Sequence, residues 1–492
     1  MGQLRQAATF ATRLYRQRLE ILYAAYVDRD PMCLLALKPG RDDPYAIYER
    51  MRRQGTLLPT RLGNWVTTSH QLCQQVLRDR RFGVRPADDP TRTADDFDLS
   101  FLDMNPPDHT RLRRLAQPAF SPKHMAGYRP RIERTVADLL DRAATTGVST
   151  GRFDLVSGLA APLPIAVITD LLGVPDADAD AFARYGMVIG SALDGVRSLS
   201  HAKRLQAADA ELAALFGNLF ALRRREPADD IVSRVVAAEG DQVRPDELLP
   251  LCVLLLVAGF ETTVNLIGNA VNALLDHPEQ WDALCADPAG MAPKAVEETL
   301  RYDPPVQRTM RVALEPLELD GRPVRKGQFV VTLIGAASRD PDAYPDPARF
   351  DIGREQTADH LAFSSGIHYC LGQPLATLEA TVALASLAER MPGLHRAGPT
   401  RRRNASTIRG PIHLPVANRL AVARGLTVLA GRDGSPSTPA PVAVPFAGDV
   451  VAGSRQRTRP PSRTWPARLA APIVWSHDAG PDAHGDRQPN RA

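Results

Sequence analysis

Apolar residues recur at intervals of three and four through most of the stretch from Asp43 to about Val422, a period that suits helices and few other structures. The segments DPYAIYERMRRQG (43–55), YRPRIERTVADLLDRAA (128–144), ADAELAALFGNLFALRRRE (208–226) and LATLEATVALASLAERM (375–391) each carry an apolar stripe with charges between. Strand patterns are fewer and shorter: LLPTRLGNWVTTS (57–69) and QFVVTLIG (328–335). The expected architecture is mainly α with small β-sheets, an α+β body over 43–425, preceded by an extension, 1–42, and followed by a tail, 426–492. The tail is dense in Pro, Gly, Ser and Arg and cannot bury enough apolar surface to offset its ordering entropy, so disorder is expected there.

At 492 residues and 44% hydrophobic the chain can bury a large core. Its net charge of +4 implies no nucleic-acid partner. The five cysteines, Cys33, Cys73, Cys252, Cys285 and Cys370, are odd in number, far apart and never paired as Cys-x-x-Cys. Disulfide frameworks, zinc ribbons, iron–sulfur clusters and c-type haem attachment therefore fit poorly, and a reduced, cytoplasmic protein is expected. Arg5, Arg13, Arg16, Arg18 and Glu20 interrupt the N-terminal segment, while Phe10, Leu14, Ile21 and Leu22 recur near helical spacing, which predicts an amphipathic basic helix packed on the same chain. The longest apolar run, LPLCVLLLVAGF (249–260), is too short to span a bilayer and reads as a buried core helix, so no transmembrane segment is expected.

Chemistry concentrates at AFSSGIHYCLGQP (362–374), where Cys370 stands between Gly366 and Gly372 with His368 two residues before it and a helical pattern opening at about Leu371. A sulfur at a helix start is expected to be stabilised as an anion by the free N–H groups there. Such an anion serves as a nucleophile or as a metal ligand, zinc requiring more ligands than one Cys and one His and haem iron requiring a single axial sulfur.

A second constellation lies in VAGFETTVNL (257–266), where the apolar helix acquires Gly259, Glu261, Thr262 and Thr263. Thr262 follows Ala258 by four, so its hydroxyl reaches that carbonyl and is expected to open the helical ladder there. Leu254, Val257, Ala258 and Thr262 share one face. In EETLR, Glu298 and Arg301 are three apart, and in MNPPDHTRLRRLAQPAF, His109 and Arg113 are four apart on a helix starting after Pro106 and Pro107.

FSSGIHYCLGQPLATLE resembles the haem-binding signature of cytochrome P450 monooxygenases, Phe-Gly-x-Gly-x-His/Arg-x-Cys-x-Gly, in its soluble bacterial form. The order of VAGFETTVNL, EETLR, the PDPARF segment and STIRGPIHLPV agrees, and the likeness covers about residues 43 to 422. Ser364 stands at the pattern's first glycine, and Thr377 where an arginine often follows Leu-Ala.

The resemblance implies the P450 fold, a single large domain enclosing haem b between a distal helix and the Cys loop. It implies Cys370 as axial ligand of the iron, framed by Phe363, Gly366 and Gly372, with His368, His109, Arg113 and Arg311 on the haem propionates. It implies Thr262, Glu261, Gly259 and Ala258 as the oxygen-handling turn, with Thr262 helping to deliver protons and Glu261 its companion acid. Glu298 and Arg301 become a buried pair that holds the PDPARF segment, and Leu254, Val257, Val306 and Ile408 line a substrate pocket. Arg111 and Arg114 are left as a solvated basic face meeting a redox partner.

The implied activity is insertion of one atom of O2 into a small hydrophobic organic substrate, by hydroxylation or epoxidation, in tailoring of a specialised metabolite. The 67 residues of the tail are too few for a flavin domain, so electrons are expected from an external ferredoxin and its NAD(P)H-dependent reductase. A monomer is expected. The alternatives within the family are a non-catalytic partner of a glycosyltransferase, which typically lacks the cysteine, and a peroxide-driven or oxidative-coupling enzyme, which tends to lose the acid and alcohol of the distal helix.

Overall fold

The computed structural model describes residues 2–86, 99–146, 151–196 and 198–418. The tail expected to be disordered and most of the loop GVRPADDPTRTADDFDLSF lie outside the described residues.

The principal helices are α1 (Gly2–Tyr26), α2 (Asp108–Ala116), α3 (Pro122–Thr146), α4 (Pro162–Leu172), α5 (Asp176–Gly190), α6 (Leu199–Arg225), α7 (Leu248–Asp276), α8 (Pro288–Tyr302) and α9 (Gln373–Arg390). Helix α7 is the axis, and its apolar residues all round fit a helix surrounded by protein. It packs against α4, α5, α8 and α9. Among the described residues it is the one helix long and apolar enough to cross a membrane, and 78% of its most apolar window is buried inside the protein. Burying each of its leucines is worth roughly 1.5–3 kcal/mol. The helix stops at His277, before Pro278, whose ring cannot follow a helical residue without strain.

Local chemistry sets other ends. Ser198 caps α6 by accepting from the His201 N–H at 3.1 Å, and the last turn carries Arg223, Arg224 and Arg225, cations that favour a helix C-terminus. Asp287 caps α8 through the Gly290 N–H at 3.0 Å. Helix α3 begins at Pro122, earlier than its stripe suggests, and carries Pro130 in its interior without ending.

The main sheet joins β1 (Leu57–Pro59), β2 (Trp65–Thr67), β3 (Phe82–Gly83), β4 (Thr309–Ala313) and β5 (Phe329–Thr332) in the order β1-β2-β5-β4-β3. The strand candidate LLPTRLGNWVTTS becomes the antiparallel pair β1 and β2, β2 pairs with β5 in parallel, and β4 lies antiparallel to β5 with Arg311 opposite Val330. This register carries Arg311 out of a buried strand toward the Cys loop.

The break at residue 42 is absent from the packing. Met32 and Leu35 share a buried cluster with Ile47, Tyr48, Met51, Val66 and Val331. Asp30 caps the following short helix and also accepts from the Arg61 N–H at 2.8 Å, which ties the extension to the sheet.

Candidate active site

The loop around Cys370 is held by backbone geometry. Gly366 has φ +69°, and a Cβ there would lie 2.5 Å from the Leu77 carbonyl oxygen, so only glycine fits. Ser364 adopts φ +63°, a left-handed conformation costly for a residue with a Cβ, and its hydroxyl accepts from Arg311 Nη2 at 3.4 Å. The Cys370 N–H donates to the Phe363 carbonyl at 2.9 Å, and Arg78 Nε donates to Ser365 Oγ at 2.7 Å. Gly372, with φ −86°, needs no special backbone freedom, and the Phe120 ring is 3.9 Å from where its Cβ would be. Its role is to cap α9 and aim its N–H at the sulfur. At the other departure from the motif, Thr377 Oγ1 accepts from Gln373 Nε2 at 3.3 Å.

Cys370 keeps accessible surface in a groove of about 550 Å³ that also includes Arg113, Phe120 and Tyr369. The expected preformed anion is corrected here. Desolvation pushes the Cys370 thiol up, and the Gly372 and Gln373 N–H groups and Arg113 only partly oppose it.

Four basic side chains from three distant segments converge beside this loop. The His109 and His368 ring centroids are 4.3 Å apart, and Arg113 Nη2 donates to the Tyr369 carbonyl at 2.6 Å. Arg311 is buried, its Nη1 donating to the Met310 carbonyl at 2.9 Å. Both nitrogens of His109 and Nε2 of His368 are buried without a hydrogen-bond partner. Burial and then the neighbouring arginines hold His109 down at about 4, while burial, Arg311, His109 and Arg113 hold His368 down at about 3. Burial also brings Arg311 down to about 10. Buried donors so arranged are complementary to an anion.

Along α7, Val257 and Phe260 are 2% and 1% exposed while Ala258 is open and Gly259 and Thr262 are half-buried, so the helix is bared on a narrow line. Thr262 Oγ1 donates to the Ala258 carbonyl at 3.4 Å, Thr263 Oγ1 to Gly259 at 3.3 Å and Asn265 Nδ2 to Glu261 at 2.7 Å. These bonds leave the helix continuous from Leu248 to Asp276, contrary to the expected local opening, because each is added to the ladder rather than replacing it.

Gly259 has a packing reason: a Cβ there would lie 2.6 Å from Ile168 Cγ1 of α4. Leu254 and Val257 are buried in the main core cluster and do not form an open wall. Val306 and Ile408 are joined by an antiparallel bridge, Ile408 being buried and Val306 half-buried. Glu261 is buried and ion-paired with Arg403, and Gly190 leaves room for its carboxylate.

The Glu298–Arg301 pair is fully internal. Arg301 Nε and Nη2 donate to the two Glu298 oxygens at 2.8 Å each, Nη1 donates to the Ser338 and Pro347 carbonyls at 3.0 and 2.8 Å, and Nη2 also donates to the Arg349 carbonyl at 2.9 Å. Glu298 further accepts from the Asp351 N–H at 2.9 Å and from Arg354 Nε at 3.3 Å.

Sequence reasoning missed Arg403, whose approach to Glu261 spans a sequence distance of 142 residues. It also missed Glu379 of α9, fully buried with both oxygens unpartnered, its acid form favoured by desolvation. The available signal was a carboxylate on the apolar face of LATLEATVALASLAERM. Arg111 is corrected from a solvated charge to the partner of Glu247 and Asp108, while Arg114 is exposed as expected.

The family model described as Cytochrome P450 matches residues 291–391, which include the Glu298–Arg301 pair and the Cys loop. Cytochrome P450 monooxygenase PikC of Streptomyces venezuelae is 39% identical over 363 residues, covering 72% of this chain and 85% of that protein. The chain belongs to the cytochrome P450 family. 6-Deoxyerythronolide B hydroxylase of Saccharopolyspora erythraea is 36% identical, covering 76% of this chain and 96% of that P450. The crystal structure of Mycobacterium smegmatis CYP164A2 in its ligand-free state superposes with a TM-score of 0.72 at 40% identity, covering 79% of this chain and 99% of that one. This P450 is a monooxygenase with haem b as its cofactor, and its mostly helical body with small sheets is the P450 fold.

Proposed function

We propose that this P450 inserts one atom of O2 into a small hydrophobic organic substrate, by hydroxylation or epoxidation, with Cys370 as the residue that would hold the haem iron. The observation that carries the reading is the set of three buried, partnerless imidazole nitrogens on His109 and His368, flanked by Arg113 and Arg311 beside the Cys370 loop. These groups fit the two carboxylates of haem b, which would supply the hydrogen-bond acceptors and negative charge lacking there. When bound, haem b supplies the activation of dioxygen.

The chain's own residues have distinct tasks in this reading. Cys370 would lose its proton on ligating iron, because a metal's charge outweighs the burial that holds the thiol up. Phe363, through its carbonyl, and Gly366, through its turn, aim the sulfur. Thr262 would hold a proton at Oγ1 on the bared line of α7, beside Ala258, with Glu261 fixed one residue away by Arg403. Glu298 and Arg301 hold the segment 338–351 in register. The substrate would lie against that line and the half-buried Val306, with Leu254, Val257 and Ile408 packed behind.

We further assign the protein to the cytoplasm, with electrons from an external ferredoxin and its NAD(P)H-dependent reductase, and to tailoring of a specialised metabolite. Relatives named for 6-deoxyerythronolide B and nocardicin C support that substrate class.

The test is the ferrous–carbon monoxide difference spectrum of the full chain and of Cys370→Ser. The wild type should give the red-shifted Soret band of a thiolate complex, and Cys370→Ser should lose it. A wild type without that band, or a variant retaining it, refutes the ligation. Product formation with peroxide but never with ferredoxin and reductase would refute the electron source.

A further inference from the structure

Helix α1 has two apolar faces, and the protein body covers only one. Leu14, Ala24 and Ala25 are buried, and Ile21 lies half-buried beside them. On the opposite side Tyr15, Leu19, Leu22, Tyr23 and Tyr26 follow at spacings that place them on a single ridge of an α-helix. They are 55, 67, 41, 60 and 60% exposed. Of the eleven large hydrophobic residues exposed among the described residues, these five and Val27 lie in this one segment. Monomeric proteins seldom leave such a patch without a use. An open groove of about 770 Å³ between α1 and Arg61–Leu62 extends it.

The charge carried by the helix itself is one-sided, although Asp28 and Arg61 pair beside the groove. Residues 2–26 contain Arg5, Arg13, Arg16 and Arg18 against Glu20 alone, a net of +3 in a chain whose total is +4. Arg16 and Arg18 fall on opposite flanks of the ridge, and Arg16 is 80% exposed even while paired with Glu20. Flanking cations on long apolar stems can lower an apolar ridge into hydrocarbon while their heads stay in water. Three tyrosines, each an apolar ring with a polar tip, suit the same boundary.

We propose that α1 docks this enzyme on an anionic lipid surface, the Tyr15–Tyr26 ridge entering the headgroup–acyl boundary with Arg16 and Arg18 meeting lipid phosphates. Charge complementarity selects this occupant. A second copy would bring like-charged arginines face to face, whereas an anionic bilayer offers the opposite sign along the whole ridge.

The test is flotation of the full-length haem-loaded protein with vesicles of phosphatidylcholine alone or with about a third phosphatidylglycerol. Binding should be about tenfold or more stronger to the anionic vesicles and should collapse in about 0.5 M salt. The double variant Leu19→Glu, Tyr23→Glu should lose about tenfold or more of that binding with an unchanged carbon monoxide spectrum, because both residues are exposed. Arg16→Gln and Arg18→Gln should each weaken it about fivefold. Absence of flotation with both vesicles refutes the proposal, as does equal flotation of wild type and double variant. A concentration-dependent dimer in sedimentation velocity that the double variant abolishes would assign the ridge to a second copy instead.

Discussion

Replacing Arg301 by lysine keeps the positive charge and removes the fork. All five guanidinium N–H groups are used, two on Glu298 and three on the carbonyls of Ser338, Pro347 and Arg349, and the side chain is 0% exposed. An ammonium has only three donors, so at least two of the five hydrogen bonds are lost, although Arg354 and the Asp351 N–H still serve Glu298 Oε1 and the Arg349 carbonyl. At roughly 0.5–3 kcal/mol net for each lost hydrogen bond of this charged group, the loss is about 1–6 kcal/mol, out of a typical total of about 5–15 kcal/mol. Arg354 grips the same segment through Pro345, Asp346 and Arg349, so the loss should remain below complete unfolding. The assay is urea unfolding of Arg301→Lys followed by its Soret absorbance after gel filtration. We expect a lower midpoint, reduced haem content and faster amide exchange in residues 338–354, the span the fork secures. A midpoint within about 0.3 kcal/mol of wild type, with full haem content, would refute the claim that fork geometry, beyond charge, holds this segment.

Three further outcomes follow from the packing and the titrating groups. Gly259→Val should destabilise by about 1–3 kcal/mol, and adding Ile168→Ala should recover part of that loss, because the new side chain meets Ile168 at 2.6 Å; urea midpoints without recovery would place the strain elsewhere. Glu379→Gln should stabilise the protein by roughly 1–3 kcal/mol at pH 8 and by nothing below pH about 4, since a carboxyl whose folded pKa is raised loses stability as pH climbs. A gain that is the same at both pH values would contradict the buried-acid assignment. His109, held at about 4 when folded against about 6.5 when unfolded, takes up a proton on unfolding, so the haem-free protein should lose stability as pH falls from 6.5 to 4. His109→Gln should flatten that slope in pH-dependent unfolding, and an unchanged slope would locate the acid sensitivity elsewhere.

Helices, the strand segments LLPTRLGNWVTTS and QFVVTLIG and the Cys loop were legible in the sequence because each rests on local physics. Apolar spacing selects the helical period, Gly366 occupies a left-handed turn, and Glu298 and Arg301 are neighbours by helix geometry wherever they lie. What local spacing could not supply is the side on which a residue is covered. Leu254 and Val257 share a face with Thr262 in the sequence, but the structure buries them in the main core cluster, and Gly259 packs closely against Ile168. Likewise α1 reads as one amphipathic helix, whereas burial of Leu14, Ala24 and Ala25 leaves Leu22 on a separate exposed ridge.

The sequence by itself determined that a cysteine loop, a hydroxyl-bearing core helix and a Glu-x-x-Arg pair occur in one mostly helical body, because spacing along the chain is enough to state each of them. Only the tertiary structure decided which partners they meet. It brings Arg403 to Glu261, buries Glu379 without a partner, pairs Arg111 with Glu247 and gathers His109, Arg113, Arg311 and His368 beside Cys370. The reason is physical: burial and long-range pairing set protonation, and neither has any periodicity to read. The same sulfur that looks preformed as an anion at a helix start is held toward its thiol by desolvation, which the Gly372 and Gln373 N–H groups and Arg113 only partly oppose.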